Sequence, residues 1–163
     1  MKNLYKIFFT ITIISIILFG YVVYNDQQFK NSELSLKTLT KLKQKEYNLR
    51  KLIMQKYNID VNIPVLVSSK LQDNLFGIAA YNNGDIKIVL NKNRFQESED
   101  YMIDYVLPHE YAHALMFVLN DFPKQNGGHS KKWQNICLNL DGKKCDRFVK
   151  HEDIVMGKLD FIY

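Results

Sequence analysis

Cysteine is scarce in this 163-residue chain: there are two, Cys137 and Cys145, eight positions apart. Two sulfurs at that spacing exclude a zinc ribbon, which needs two close cysteine pairs. They leave open a disulfide, if the domain lies outside the cytosol, or two buried thiols if it does not. A basic surface is missing from most of the chain as well. The net charge of +5 divides into ten Lys or Arg against four Asp or Glu over residues 1–60 (+6), and twelve against thirteen over residues 61–163 (−1). No phosphate-binding surface is indicated for the larger part, and no nucleic-acid partner is expected. There is no internal repeat and no low-complexity stretch. A hydrophobic fraction of 47% with 24% charged residues excludes wholesale disorder and suits one modest domain with a short extra element.

Charge is absent altogether from residues 7–24. As a helix this run covers about 27 Å, just enough for the hydrocarbon core of a bilayer. Lys2 and Lys6 flank one end, and Tyr21 and Tyr24 suit the interface at the other. A cleaved signal peptide has a shorter apolar region and a small-x-small site. The segment from Tyr21 to Gln28, at the end of the run, contains no small residue, and no cysteine offers a lipid attachment point. An uncleaved single-span anchor is expected. The short basic head at residues 1–6 favours an extracytoplasmic domain, although Lys30, Lys37, Lys41 and Lys43 pull the other way. Residues 25–35 form a linker.

Beyond the linker the patterning reads as an α+β fold. Leu39, Leu42, Leu49, Ile53 and Tyr57 recur at helical spacing within residues 32–57, with Ser32 or Ser35 as cap, and lysines make up a solvated face. This amphipathic helix reads as a stalk packed on the domain. Residues 63–68 form a short strand. Residues 75–81 and 85–90 flank Asn82-Asn83-Gly84, a hairpin turn signal, in a small antiparallel or mixed sheet. Residues 98–120 form a helix capped by Ser98, with Met102, Val106, His109, His113 and Phe117 on one side. Pro108 removes a backbone donor inside it and should kink it just before His109. A further helix runs from Ser130 through Trp133 to Leu140, ended by Asp141-Gly142.

Histidine is also rare, with four in all, yet three fall in one short region: His109-Glu110-Tyr111-Ala112-His113, then Gly127-Gly128-His129. On a helix, His109 and His113 lie one turn apart and point the same way. Two neutral imidazoles so placed can grip Zn²⁺, and Glu110 stands beside them to take a proton from zinc-bound water. A catalytic zinc takes three protein ligands and one open position. The metzincin pattern would need Gly at 116 and His at 119, where the chain has Met116 and Leu119. A downstream glutamate ligand is excluded because no Glu occurs between Glu110 and Glu152. His129 remains, in a glycine loop able to turn sharply and bring its ring to the metal. His151 reads as a surface histidine or a donor behind the ligands, and Trp133 as core rather than a substrate platform.

The run from Val106 to Leu115, with the following Gly128-His129-Ser130-Lys131-Lys132-Trp133 and the preceding Ile86-Lys87-Ile88-Val89-Leu90-Asn91 strand, resembles the SprT-like zinc metalloproteases. The resemblance covers roughly residues 36–151. It implies a protease-type α+β domain over residues 36–163, with His109, His113 and His129 as zinc ligands and Glu110 as catalytic base. Many members add a C-terminal four-cysteine ribbon, which two cysteines cannot build. Some cleave proteins crosslinked to DNA, a role at odds with an anchored chain and a near-neutral domain. The expected activity is therefore that of a membrane-anchored zinc endopeptidase acting on protein or peptide, with residues 85–90 offering a sheet edge to the substrate. Two rivals stand beside it: a non-catalytic zinc-stabilised interaction module, which would tend to recruit a fourth ligand such as Cys137, and a DNA-associated protease of the same family.

Overall fold

The computed structural model describes residues 2–122 and 128–147, and it divides into two compact units, residues 1–34 and 35–163. The first unit holds one helix, α1 (Lys2–Asn31), which runs on past the apolar stretch. Its long apolar side chains, from Leu4 to Tyr24, are exposed on every side. Length and composition make it a helix able to cross a membrane.

The second unit opens with α2 (Leu36–Tyr57). Of the two serines expected to cap it, Ser35 does so, accepting a hydrogen bond from the Thr38 N–H at 3.1 Å. Asn58 closes it in the left-handed conformation (φ 54°), its N–H donating to the Met54 carbonyl. Leu42, Leu49 and Ile53 form the buried stripe, while Leu39 and Tyr57 are only half-buried. The turn between Leu42 and Leu49 is filled by Glu46, a buried carboxylate that Lys43 approaches at 3.1 Å. The lysine face is not wholly solvated as expected. Lys41 pairs with Glu99 and Asp100, and Lys45 with Asp104, so α2 is clamped to the segment leading into the histidines.

Three strands come next in the order β1 (Val65–Ser68), β3 (Asp85–Asn91), β2 (Gly77–Asn82). β1 lies parallel to β3 and β2 antiparallel to it, so the sheet is mixed. The hairpin turn places Asn83 (φ 48°) and Gly84 (φ 99°) both in the left-handed region, as a two-residue loop of matching twist demands. The expected substrate edge at residues 85–90 is corrected by this topology. They are not an edge, because β3 is central and bonded on both sides; alternation reveals which face of a strand is buried, not which strands lie beside it.

Asn91 ends β3 and is fully buried. Its amide donates to the carbonyls of Gln72 and Leu75, fixing the loop that enters β2, and accepts from the Asn93 N–H to start the short helix α3 (Lys92–Phe95). Ser98 then caps α4 (Glu99–Tyr101), accepting from the Tyr101 N–H. Pro108 does not break the helical path beyond α4. Met102–Val106 widen into a π-helix, in which the Leu107 N–H reaches back to the Met102 carbonyl. An α-helix would leave a carbonyl facing the Pro108 ring without a donor, and the wider turn accommodates that mismatch. α5 (Leu107–Val118) emerges from it and touches β2, β3 and α6 (Lys131–Asn139). Ser130 caps α6 through the Trp133 N–H. Cys137 and Cys145 are joined by a disulfide, over which Gly142 packs so closely that a Cβ would lie 2.6 Å from Cys137 Sγ.

Candidate metal centre

α5 is apolar on nearly every face: Leu107, Tyr111, Ala112, Ala114 and Leu115 are fully buried. Burial of this helix fixes the directions of the three polar side chains it carries. His109 and His113, one turn apart, stand half-buried at the mouth of the cleft, and Glu110 points back toward the sheet. The loop after α5 returns His129 between them. Its Nε2 lies 3.1 Å from His109 Nε2 and 3.2 Å from His113 Nε2. The three ring nitrogens all fall within 4.8 Å of one another.

Those spacings suit a cation. Nitrogens about 2.0–2.1 Å from a tetrahedral zinc stand about 3.3 Å apart. Three imidazole nitrogens facing one another so closely are a poor hydrogen-bonding arrangement, since each neutral ring carries one N–H only. As a metal-binding set the same geometry is ordinary. Burial, aided by the neighbouring His129, pushes the His109 pKa down to about 4; burial, with His109 and His129 beside it, takes His113 down to about 3. Both rings are therefore neutral at pH 7, the form that ligates.

Trp133 braces this cluster from beneath. Its ring centroid lies 4.7 Å from His109, 4.9 Å from His113 and 4.4 Å from His129. It is buried, as expected of a core residue, but the core it belongs to is the floor of the site. Its indole N–H finds no partner among the described residues, so the residue serves there through its ring faces.

Glu110 is 7% exposed, and that burial drives its pKa up to about 8, against a hydrogen bond from the Ala79 backbone that favours the carboxylate. Space for it comes from Gly77: a Cβ there would meet Glu110 Cγ at 2.9 Å and Oε1 at 3.2 Å. A carboxyl group with a pKa near neutrality beside three ligand-ready rings has the properties of a general acid–base. Neither Gly77 nor Ala79 was expected at the site from the sequence. An isolated glycine inside a strand was the available signal, since it marks close approach of another group to the backbone.

The histidines and Glu110 open into a cleft of about 910 Å³, whose walls include β2 on one side and Tyr105, Met116 and Phe117 on the other. Gly127, expected in the ligand loop, and His151, expected at the surface or behind the ligands, lie outside the described residues. A family model described as the SprT-like family matches residues 36–151, more than two thirds of the chain. The chain belongs to the SprT-like family. The match begins one residue after the second compact unit does, and leaves α1 out. Neither a curated protein nor a solved structure gives a significant match. The SprT-like assignment brings a metalloprotease-type domain, and the three histidines form a group able to hold a metal ion.

Proposed function

We propose that this protein is a zinc-dependent endopeptidase, tethered to a membrane by residues 7–24, with His109, His113 and His129 as zinc ligands and Glu110 as general base. The observation that carries this reading is the convergence of three Nε2 atoms within 4.8 Å, with a buried carboxyl on the same turn of helix. Zinc held there supplies Lewis-acid chemistry, making water acidic near pH 7 and polarising a carbonyl. Glu110 accepts the proton of the attacking water and returns it to the leaving amine. Ala79 and Gly77 hold the carboxyl in place, one by its backbone N–H and the other by its lack of a side chain. Trp133 keeps the rings from turning.

A purely structural site would be closed by a fourth protein ligand. Cys137, the sulfur suited to that role, is bonded to Cys145 instead, which favours catalysis over the interaction-module reading. The same disulfide suits an oxidising compartment and agrees with a domain outside the cytosol. A DNA-linked role draws no support from a net −1 over residues 61–163.

The test is Glu110→Gln in the full chain loaded with zinc. Casein cleavage falls by about 10²–10⁴-fold, the usual worth of a general base, while elemental analysis still finds one zinc. Survival of cleavage overturns the mechanism.

A further inference from the structure

The open edge of the sheet lies along the cleft, and the pairing fixes which of its backbone groups face outward. The Asn91 N–H donates to the Phe76 carbonyl at 2.8 Å, and Gly77 lies opposite Leu90. In an antiparallel pair, bonded and non-bonded positions alternate. Ile78, Ala80 and Asn82 therefore bond to β3, whereas Gly77, Ala79 and Tyr81 turn their N–H and C=O groups to the outer edge. Ala79 supports this, since its N–H bonds to Glu110 on that side, which leaves the outward groups of Gly77 and Tyr81 and the Ala79 carbonyl as the pairing positions of the edge. No described strand pairs with that edge.

Each end of the edge meets a group of aromatic rings. At the start of β2, Phe76 packs edge-on against Tyr101 (5.8 Å), which stacks on Tyr105 (4.9 Å). At its end Tyr81 meets Phe117 (5.8 Å) and Phe122 (5.0 Å), which stack on each other at 5.5 Å. Phe76, Tyr105, Phe117 and Phe122 all line the same cleft as the histidines. Tyr81 and Phe122 are 45% and 46% exposed, so ring surface in this second group is open to a partner. Two elements independently place the chemistry between the groups. Along β2, the Glu110 contacts at Gly77 and Ala79 fall between Phe76 and Tyr81. Along the helix, Glu110 falls between Tyr105 and Phe117. From Gly77 to Tyr81 an extended strand covers about 14 Å.

We infer that the cleft selects an extended polypeptide segment bearing bulky apolar side chains on both sides of the cleaved bond, one received by each aromatic group. This rests on the endopeptidase reading. The segment adds to the outer edge of β2 by backbone pairing, which is indifferent to side chains, and the two groups supply the selectivity. The two preferred side chains stand about four residues apart, as the strand rise dictates.

The test is cleavage-site profiling by mass spectrometry, using the zinc-loaded full chain in detergent and a peptide library from digested cell protein. The expected profile is enriched in Phe, Tyr, Leu and Met at two positions bracketing the cut. Tyr105→Ala and Phe122→Ala, both at partly exposed rings, each erase enrichment at a different one of the two positions. Each also lowers kcat/KM for a doubly aromatic fluorogenic peptide by about tenfold. Cleavage that depends on Glu110 but shows a flat profile, or one unmoved by both variants, overturns this inference and leaves the protease reading standing. A flat profile joined to self-association that Phe122→Ala abolishes assigns the exposed rings to a second copy of this chain instead. No cleavage by the wild-type chain overturns both readings.

Discussion

α1 and α5 are both apolar helices, and the protein treats them in opposite ways. The 30-residue α1 exposes its long apolar side chains from Leu4 to Tyr24 on all sides; the 12-residue α5 hides its own beneath a sheet and a second helix. In α1 the apolar atoms from Leu4 to Tyr24 meet no protein neighbour that buries them, and on the proposed reading lipid would satisfy them with no need for a particular sequence. In α5 each atom meets a particular neighbour, so its few polar groups are aimed, and burial pushes the histidine pKa values down and that of Glu110 up. Hydrophobicity alone distinguishes neither case. What distinguishes them is the partner, and with it the number of ways each helix can be damaged.

Charge insertion should separate them most sharply. Leu115→Lys, at a fully buried position of α5, leaves an unpaired charge costing several kcal/mol against a typical stability of about 5–15 kcal/mol. Circular dichroism should show an unfolded domain. Ile14→Lys in α1 should release the chain from the membrane fraction yet leave zinc content unchanged. If the domain also fails to fold, the two units are not independent.

Truncating the floor of the site comes next. Trp133→Ala should cost about 3–5 kcal/mol in urea unfolding and weaken zinc binding, because three rings lose a common support. Gly77→Ala should act on chemistry more than on stability. Displacing Glu110 by about 1 Å lowers turnover by about 10²-fold, with zinc stoichiometry unchanged. Normal turnover in that variant would mean that the carboxyl does not need the gap.

The smallest effect concerns the seam between α2 and α4. Burial alone would raise the Glu99 pKa, but hydrogen bonds from Thr38 (2.6 Å) and Lys41 outweigh it and hold the carboxyl below its ordinary value. A carboxylate with a depressed folded-state pKa contributes stability above its unfolded pKa of about 4.3 and loses it as pH falls through the folded value. Thr38→Val should therefore destabilise by about 1 kcal/mol at pH 7, and progressively less in acid. An equal loss at pH 7 and pH 3 would assign the effect to packing.

The sequence carried the site more fully than the fold around it. Histidine scarcity, helical spacing and the missing glutamates pointed to His109, His113 and His129, and the structure brings their nitrogens together. Those features are local or depend on counting. The central place of β3 was hidden because a strand's pattern is the same whatever its neighbours are. Glu46 was hidden because a buried carboxylate on α2 looks in sequence like one more solvated charge. Pro108 signalled a departure from regular α-helix, but a proline cannot announce that the turn before it will widen.

That swelling has a consequence for how the cleft can vary. A π-turn is one residue longer than the α-turn it replaces, so it rotates everything upstream by about 100° relative to everything downstream. Tyr101 lies on one side of it and His109 on the other. Losing a single residue between positions 102 and 106 would swing an aromatic wall around the helix axis and leave the three histidines where they are. The segment thus works as a vernier, letting the aromatic lining of the cleft be reset independently of the three histidine rings.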